Sequence, residues 1–354
     1  MKKVAFLLSA LSAALLLPGC ALYIRHGQDT EQAQWVEKHF GLQTYSLTPE
    51  IEDKILALNP EHVTEADVKE VLSNAPAPRI INIHGGIYPV HHEMISLSKF
   101  LVGMGYPEAS IRNPGDGTWT YSCYEDSDKI AGVIAWYYEK EGLRPMMIGH
   151  SQGGMQAVKV LYRFTGHFSK SLEVWNPLTW KSEKRHEITD PVSGKLKPIS
   201  SLQLPYAAAT GAGGLTRLLP NQWEMTFKLH SIPDSVEEFT SFSQGLDLLG
   251  GDFLGFGPAN HFHASGTAVV RNVRLPFWES HVTLPSTEHL LKSRQIMDWI
   301  NDYTPTKNPK VNVKFDSNSR HILFAADVWF SVKKHWILEL QRLIRARRAT
   351  PHDH

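Results

Sequence analysis

Two short apolar runs, Arg79–Ile83 and Pro145–Ile148, constrain this chain most. Neither alternates apolar with polar residues, so each reads as a strand buried on both faces. Gly85-Gly86 follows the first run and Gly149 follows the second. Helical stretches come next, at about His92–Gly103 and Met155–Arg163. Another spans Ser127–Lys140, with Ile130, Ile134, Tyr137 and Tyr138 on one stripe. Further strands are expected at Glu238–Ser243 and Val269–Leu275, and a further helix at Leu290–Tyr303. Apolar strands that alternate with helices predict an α/β fold whose mostly parallel central sheet has helices on both faces. Between Leu178 and Ser235 the alternation lapses into Pro, Gly and mixed polar residues. That stretch, about 178–235, is expected to form a cap or lid inserted over the sheet.

The flanks differ in character. Residues 20–78 carry helix-start signals at Thr48-Pro49-Glu50 and Thr64-Glu65-Ala66-Asp67, and Ala75-Pro76-Ala77-Pro78 stops them. Residues 304–354 include a helical region, Ile322–Arg348. There Trp329, Val332, Trp336, Leu340 and Leu343 recur every three or four positions. Lys333, Lys334, Arg342, Arg345, Arg347 and Arg348 are expected on a solvated basic face of a docked helix, with a membrane-surface helix as the alternative.

The first 19 residues read as an address. Lys2 and Lys3 precede an apolar stretch, Val4–Leu17, too short to span a bilayer. It ends Leu17-Pro18-Gly19-Cys20, which resembles the lipobox of bacterial lipoproteins. The resemblance implies cleavage before Cys20, acylation of that thiol and anchorage to a membrane. Ala21 rather than Asp after the cysteine implies the outer membrane of the cell envelope in a host with two membranes. Cys123 would then be the only free thiol, so no intrachain disulfide could form and stability must come from the core. With 36 basic and 36 acidic side chains, the chain lacks the positive surplus of a nucleic-acid binder. A hydrophobic content of 42% excludes a largely disordered chain.

Gly149-His150-Ser151-Gln152-Gly153 lies between strand and helix and has the form G-x-S-x-G. Such a turn lifts the serine hydroxyl above the sheet edge, and glycine is needed two residues to either side because side chains there would collide. The helix that follows points its N-terminal N–H groups at the site, where developing negative charge is favoured. Ile83-His84-Gly85-Gly86 closes the earlier strand. With these two motifs, residues 79–303 resemble an α/β-hydrolase, and within that fold the secreted bacterial lipases and esterases. The resemblance implies a serine hydrolase that cleaves carboxylic esters without metal or cofactor. Ser151 would be the nucleophile, and backbone N–H groups of Gln152 and of Gly86 or Ile87 the oxyanion hole. His84 is expected to be a structural loop residue.

The family orders its triad Ser, acid, His. Downstream, Asp247 follows the expected strand Glu238–Ser243 and is the candidate acid, with Asp252 as the alternative and Asp234 behind it. His281 follows the last strand and is the candidate base, with His289 as the alternative. His261 and His263 read as surface residues. Trp119, Tyr121, Tyr124 and the 178–235 insertion are expected to line an apolar acyl pocket for a small-molecule or lipid ester. The 18 histidines invite a metal reading, but the chain has no H-E-x-x-H. A thioesterase, acyltransferase or peptidase on the same triad, or a non-catalytic envelope lipoprotein on this scaffold, are the other readings.

Overall fold

The computed structural model describes residues 47–349, apart from 169–170, 213–219, 229, 245–246, 248, 251–259, 277–278, 307–308, 310, 312 and 314–318. The expected signal segment and Cys20 lie outside the described residues. Six strands form the main sheet: β1 (Ile80–His84), β2 (Tyr121–Ser122), β3 (Met146–His150), β4 (Leu204–Thr210), β5 (Val236–Ser243) and β6 (Val269–Arg274). Their order is β6-β5-β4-β3-β1-β2, and every neighbouring pair is parallel.

Alternate strand residues point to opposite faces, and each face has its own apolar core. Ile80, Met146, Ile148, Tyr206, Ala208 and Phe242 share one core with Met94 and Leu97 of α3 (Tyr88–Gly103) and Trp329 of α7 (Ile322–Ala349). Ile81, Ile83, Met147, Ala207, Ala209 and Phe239 share the other with α4 (Ser127–Glu141) and α5 (Gln152–Arg163). The sheet is therefore covered by helices on both faces.

The expected insertion at 178–235 is not a continuous cap. It contains β4, a fully buried strand paired between β3 and β5. Its sequence is Leu-Pro-Tyr-Ala-Ala-Ala-Thr, poor in β-branched residues, because α5 packs very close. A Cβ on Gly154 of α5 would stand 3.2 Å from the Ala209 side chain, so only small residues fit beneath that helix. What precedes β4 in this stretch is a pair of short antiparallel ribbons, at 175–182 and 187–198.

The flanks join the same core. In α1 (Pro49–Ala57), Thr48 caps the first turn by accepting from the Ile51 N–H. In α2 (Glu65–Glu70), Thr64 and Asp67 form a reciprocal capping box. Ile55, Val68 and Leu72 pack in the core that holds Ile80 and Trp336. The last strand is followed by a turn over 281–285 and then α6 (Arg294–Asn301), shorter than the expected Leu290–Tyr303 because Glu288–Lys292 tightens into a 3₁₀ turn.

α7 docks as expected, but its basic residues are not all solvated. Lys333 is buried, and its ammonium donates to the Val63 and Asn301 carbonyls. Burial lowers its pKa to about 8. Lys334 bridges Glu61 and Glu238, and Arg342 pairs with buried Glu339. Among the described residues no helix is long and apolar enough to cross a membrane.

Candidate active site

The carboxyl ends of β3, β4 and β5 converge on Ser151. This residue links β3 to α5 and has φ 56 and ψ −124, a backbone conformation strained for any residue but glycine. Its surroundings enforce that conformation. The Ser151 N–H donates to the Thr210 carbonyl at 2.7 Å. The Ser151 carbonyl accepts from Gly154 N–H at 2.9 Å and from Met155 N–H at 3.2 Å. A side chain on Gly149 would run into the backbone of Gly153. One on Gly153 would run into the carbonyls of Ile83 and His84. The turn thus packs against the end of β1 with no room for a Cβ at either glycine.

His281 lies in the turn after β6, with its imidazole edge on Ser151. The Ser151 hydroxyl is 2.8 Å from His281 Nε2, and His281 Nδ1 is 2.8 Å from Asp247 Oδ2. A carboxylate only accepts, so Nδ1 carries the proton and Nε2 is the bare nitrogen facing the serine O–H. The second Asp247 oxygen accepts from the Gly250 N–H at 2.7 Å. Both side chains are buried, so the carboxylate's remaining contacts are protein groups. Gly211, at the end of β4, leaves the gap in which this pair sits. A Cβ there would stand 2.7 Å from His281 Cε1 and 3.2 Å from Asp247 Oδ2.

The loop after β1 lies against the same serine. A Cβ on Gly85 would stand 3.0 Å from that of Ser151, and one on Gly86 would meet the Gln152 side chain. Two side chains hold this loop's peptide planes. His84 Nδ1 donates to the Gly85 carbonyl at 2.8 Å, and the Tyr124 hydroxyl donates to the Gly86 carbonyl at 2.9 Å. In a trans peptide the following N–H points opposite to the carbonyl, so these bonds aim the N–H groups of Gly86 and Ile87. The Gln152 N–H opens the first turn of α5, where no intrahelical acceptor exists.

Three other imidazoles surround the site, and burial keeps each of them neutral. It lowers His84 to about 4 and His91 to about 3, the latter helped by His84 and His92. Burial, aided by neighbouring His281, takes His150 well below the ordinary histidine range. His150 Nε2 is 2.7 Å from the His281 carbonyl oxygen.

The other sequence candidates lie elsewhere. His289 sits in the 3₁₀ turn with its ring 6.4 Å from that of His321. Asp234 accepts from the Thr267 and Ala268 N–H groups, the usual work of a turn aspartate. Asp252 falls outside the described residues. His261 and His263 are exposed. Of the three aromatics expected to line a pocket, only Tyr124 reaches the site. Trp119 is buried beneath the Arg112 guanidinium, 4.0 Å from its ring centre, and Tyr121 is buried against Tyr137. Both fill core because the loop that carries them folds inward. His150, Thr210, Gly211 and Tyr124 as a loop clamp were not anticipated. Only His150 had a visible signal, its place inside the G-x-S-x-G turn. Among the described residues, no group of three or more His, Cys, Asp or Glu could hold a metal ion.

Set against known protein families, the chain matches no family model, and it matches no curated protein sequence.

Proposed function

We propose that this protein is a serine hydrolase of the α/β-hydrolase fold that cleaves carboxylic esters. The observation that carries the reading is the hydrogen-bonded line Asp247–His281–Ser151, with the serine on a strained turn at a helix N-terminus. His281 Nε2 takes the hydroxyl proton as Ser151 Oγ attacks the ester carbonyl. Asp247 holds the imidazole in the required tautomer and stabilises the imidazolium. The N–H groups of Gln152 and of Gly86 or Ile87 stabilise the oxyanion. Collapse expels the alcohol, which takes the proton from His281, and leaves an acyl-serine. Water then attacks the acyl-enzyme, with His281 again as base, and the acid departs. Acylated Cys20 would hold this body at the cell envelope, against lipid or small-molecule ester substrates.

The test is hydrolysis of chromogenic esters from butyryl to palmitoyl by the intact protein and by Ser151→Ala, with labelling by a hydroxyl-reactive phosphonate. Activity should fall on the order of 10⁴-fold or more in the variant, and labelling should be confined to Ser151. Equal rates in the two proteins would remove Ser151 as the nucleophile. Phosphonate labelling without ester turnover would move the reading to thioesters, peptides or acyl transfer.

A further inference from the structure

His281 belongs to no helix or strand; among the described residues its segment carries the backbone bonds Glu279 N–H to Pro276 O at 3.1 Å, Leu284 N–H to Ser280 O at 3.0 Å and Ser286 N–H to Thr283 O at 2.8 Å. Yet its imidazole must stay within hydrogen-bond reach of Ser151, which is anchored to a buried sheet. One bond that joins the two frames comes from His150. This residue is the last of β3, directly precedes Ser151, and is buried. Its Nε2 lies 2.7 Å from the backbone carbonyl oxygen of His281. A carbonyl can only accept, so the His150 proton sits on Nε2. The ring's Nδ1 is then a bare nitrogen, and this buried atom has no hydrogen-bond partner in the structure.

We propose that His150 is a positioning residue for His281, and that its Nε2–H bond to the His281 carbonyl sets the gap between the imidazole and the Ser151 hydroxyl. The proposal rests on the reading of Ser151, His281 and Asp247 as the catalytic set. One hydrogen bond and one peptide unit then connect the backbone of the base to that of the nucleophile. A change in either frame is transmitted to the other instead of opening the gap. The neutrality of His150 belongs to the same arrangement. The two rings are 5.0 Å apart between centres, so a charged His150 would oppose the imidazolium that His281 must become. Burial of an unpartnered nitrogen carries a cost that a plain apolar residue at this position would not carry. The donor bond is what the cost secures.

Two variants of the full chain separate donor from filler. His150→Leu fills comparable space without a donor, and His150→Gln keeps an amide donor. We expect His150→Leu to lower kcat on a short ester about 10- to 100-fold with KM within about twofold of the parent, the size of effect that misplacement of a reacting group causes. His150→Gln should recover most of that loss. The downfield proton resonance of His281 Nδ1–H on Asp247 should be present in the parent and in His150→Gln, and broadened in His150→Leu. A His150→Leu variant with parental kcat and parental resonance overturns the proposal. So does an equal loss in both variants, which would make His150 a packing residue. If His150→Leu does not fold, ¹⁵N-histidine spectra of the parent decide. A slowly exchanging Nε2–H on His150 supports the proposal, and an Nδ1–H tautomer overturns it. A parent without esterase activity whose Nδ1–H resonance still responds to the variants as expected would sink the ester reading and leave the positioning role standing.

Discussion

The substitution Gly211→Ala tests the site with little chemical change, because it adds one methyl group. The structure gives the direction in which that methyl points. It would stand 2.7 Å from His281 Cε1, 2.8 Å from Nδ1 and 3.2 Å from Asp247 Oδ2. Ordinary contact begins near 3.4 Å, so the ring must retreat by about 0.7 Å. A retreat of that size cannot keep both 2.8 Å bonds, to Ser151 and to Asp247. Misplacements approaching 1 Å cost up to about 100-fold in rate, so kcat should fall about 10- to 100-fold. Alanine also carries a backbone penalty of about 1–2 kcal/mol at φ +59. Gly166→Ala is the matched control. Its φ is +72, and a Cβ there meets nothing within 4 Å. It should lose similar stability and keep full activity. Urea midpoints and initial rates on one ester, measured for both variants, give the comparison. A Gly211→Ala protein with parental kcat would refute the geometry. Equal rate losses in the two variants would show that backbone strain, not contact with His281, is responsible.

Two predictions concern stability. His84 has a folded pKa near 4, against 6.5 when unfolded, so the unfolded chain takes up that proton first as pH falls. The corresponding stability is complete above pH 6.5 and should be lost progressively down to pH 4, by about 3 kcal/mol. Urea midpoints across that range should decline less steeply in His84→Asn than in the parent, and parallel slopes would contradict the assignment. Glu339→Gln leaves Arg144 and Arg342 beside a neutral, fully buried amide. It should destabilise by about 3–5 kcal/mol. Because Arg144 lies at the opposite end of β3 from Ser151, kcat should be unchanged. A loss under 1 kcal/mol in chemical denaturation would count against the pair.

What could be read from the residues follows a physical divide. β1 and β3 stand out because their side chains are large and apolar on both faces, and the serine turn stands out because close packing excludes a Cβ at Gly149 and at Gly153. β4 was hidden for the opposite reason. A strand pressed against a helix at short range uses alanine, and alanine carries no strand signal. The seat of α7 was not legible for a related reason. Its stripe shows that the helix has a buried face, but not which surface covers it. That surface is assembled from α1 and Pro76, 260 to 286 residues away, together with the sheet and α6. The same limit applies to Gly211 and Tyr124, whose work depends on neighbours that only the fold supplies.

The clasp between the two ends of the described chain has a consequence for how the molecule is made. Trp336 donates to the Pro76 carbonyl, and Gln341 donates to the carbonyls of Ile55 and Leu58. These contacts span 260 to 286 residues. Residues synthesised early therefore wait for those synthesised late before their apolar faces are covered. An N-terminal fragment of any length short of α7 keeps the seat of Trp329 and Trp336 open to water. The fold is thus not complete until α7 has emerged.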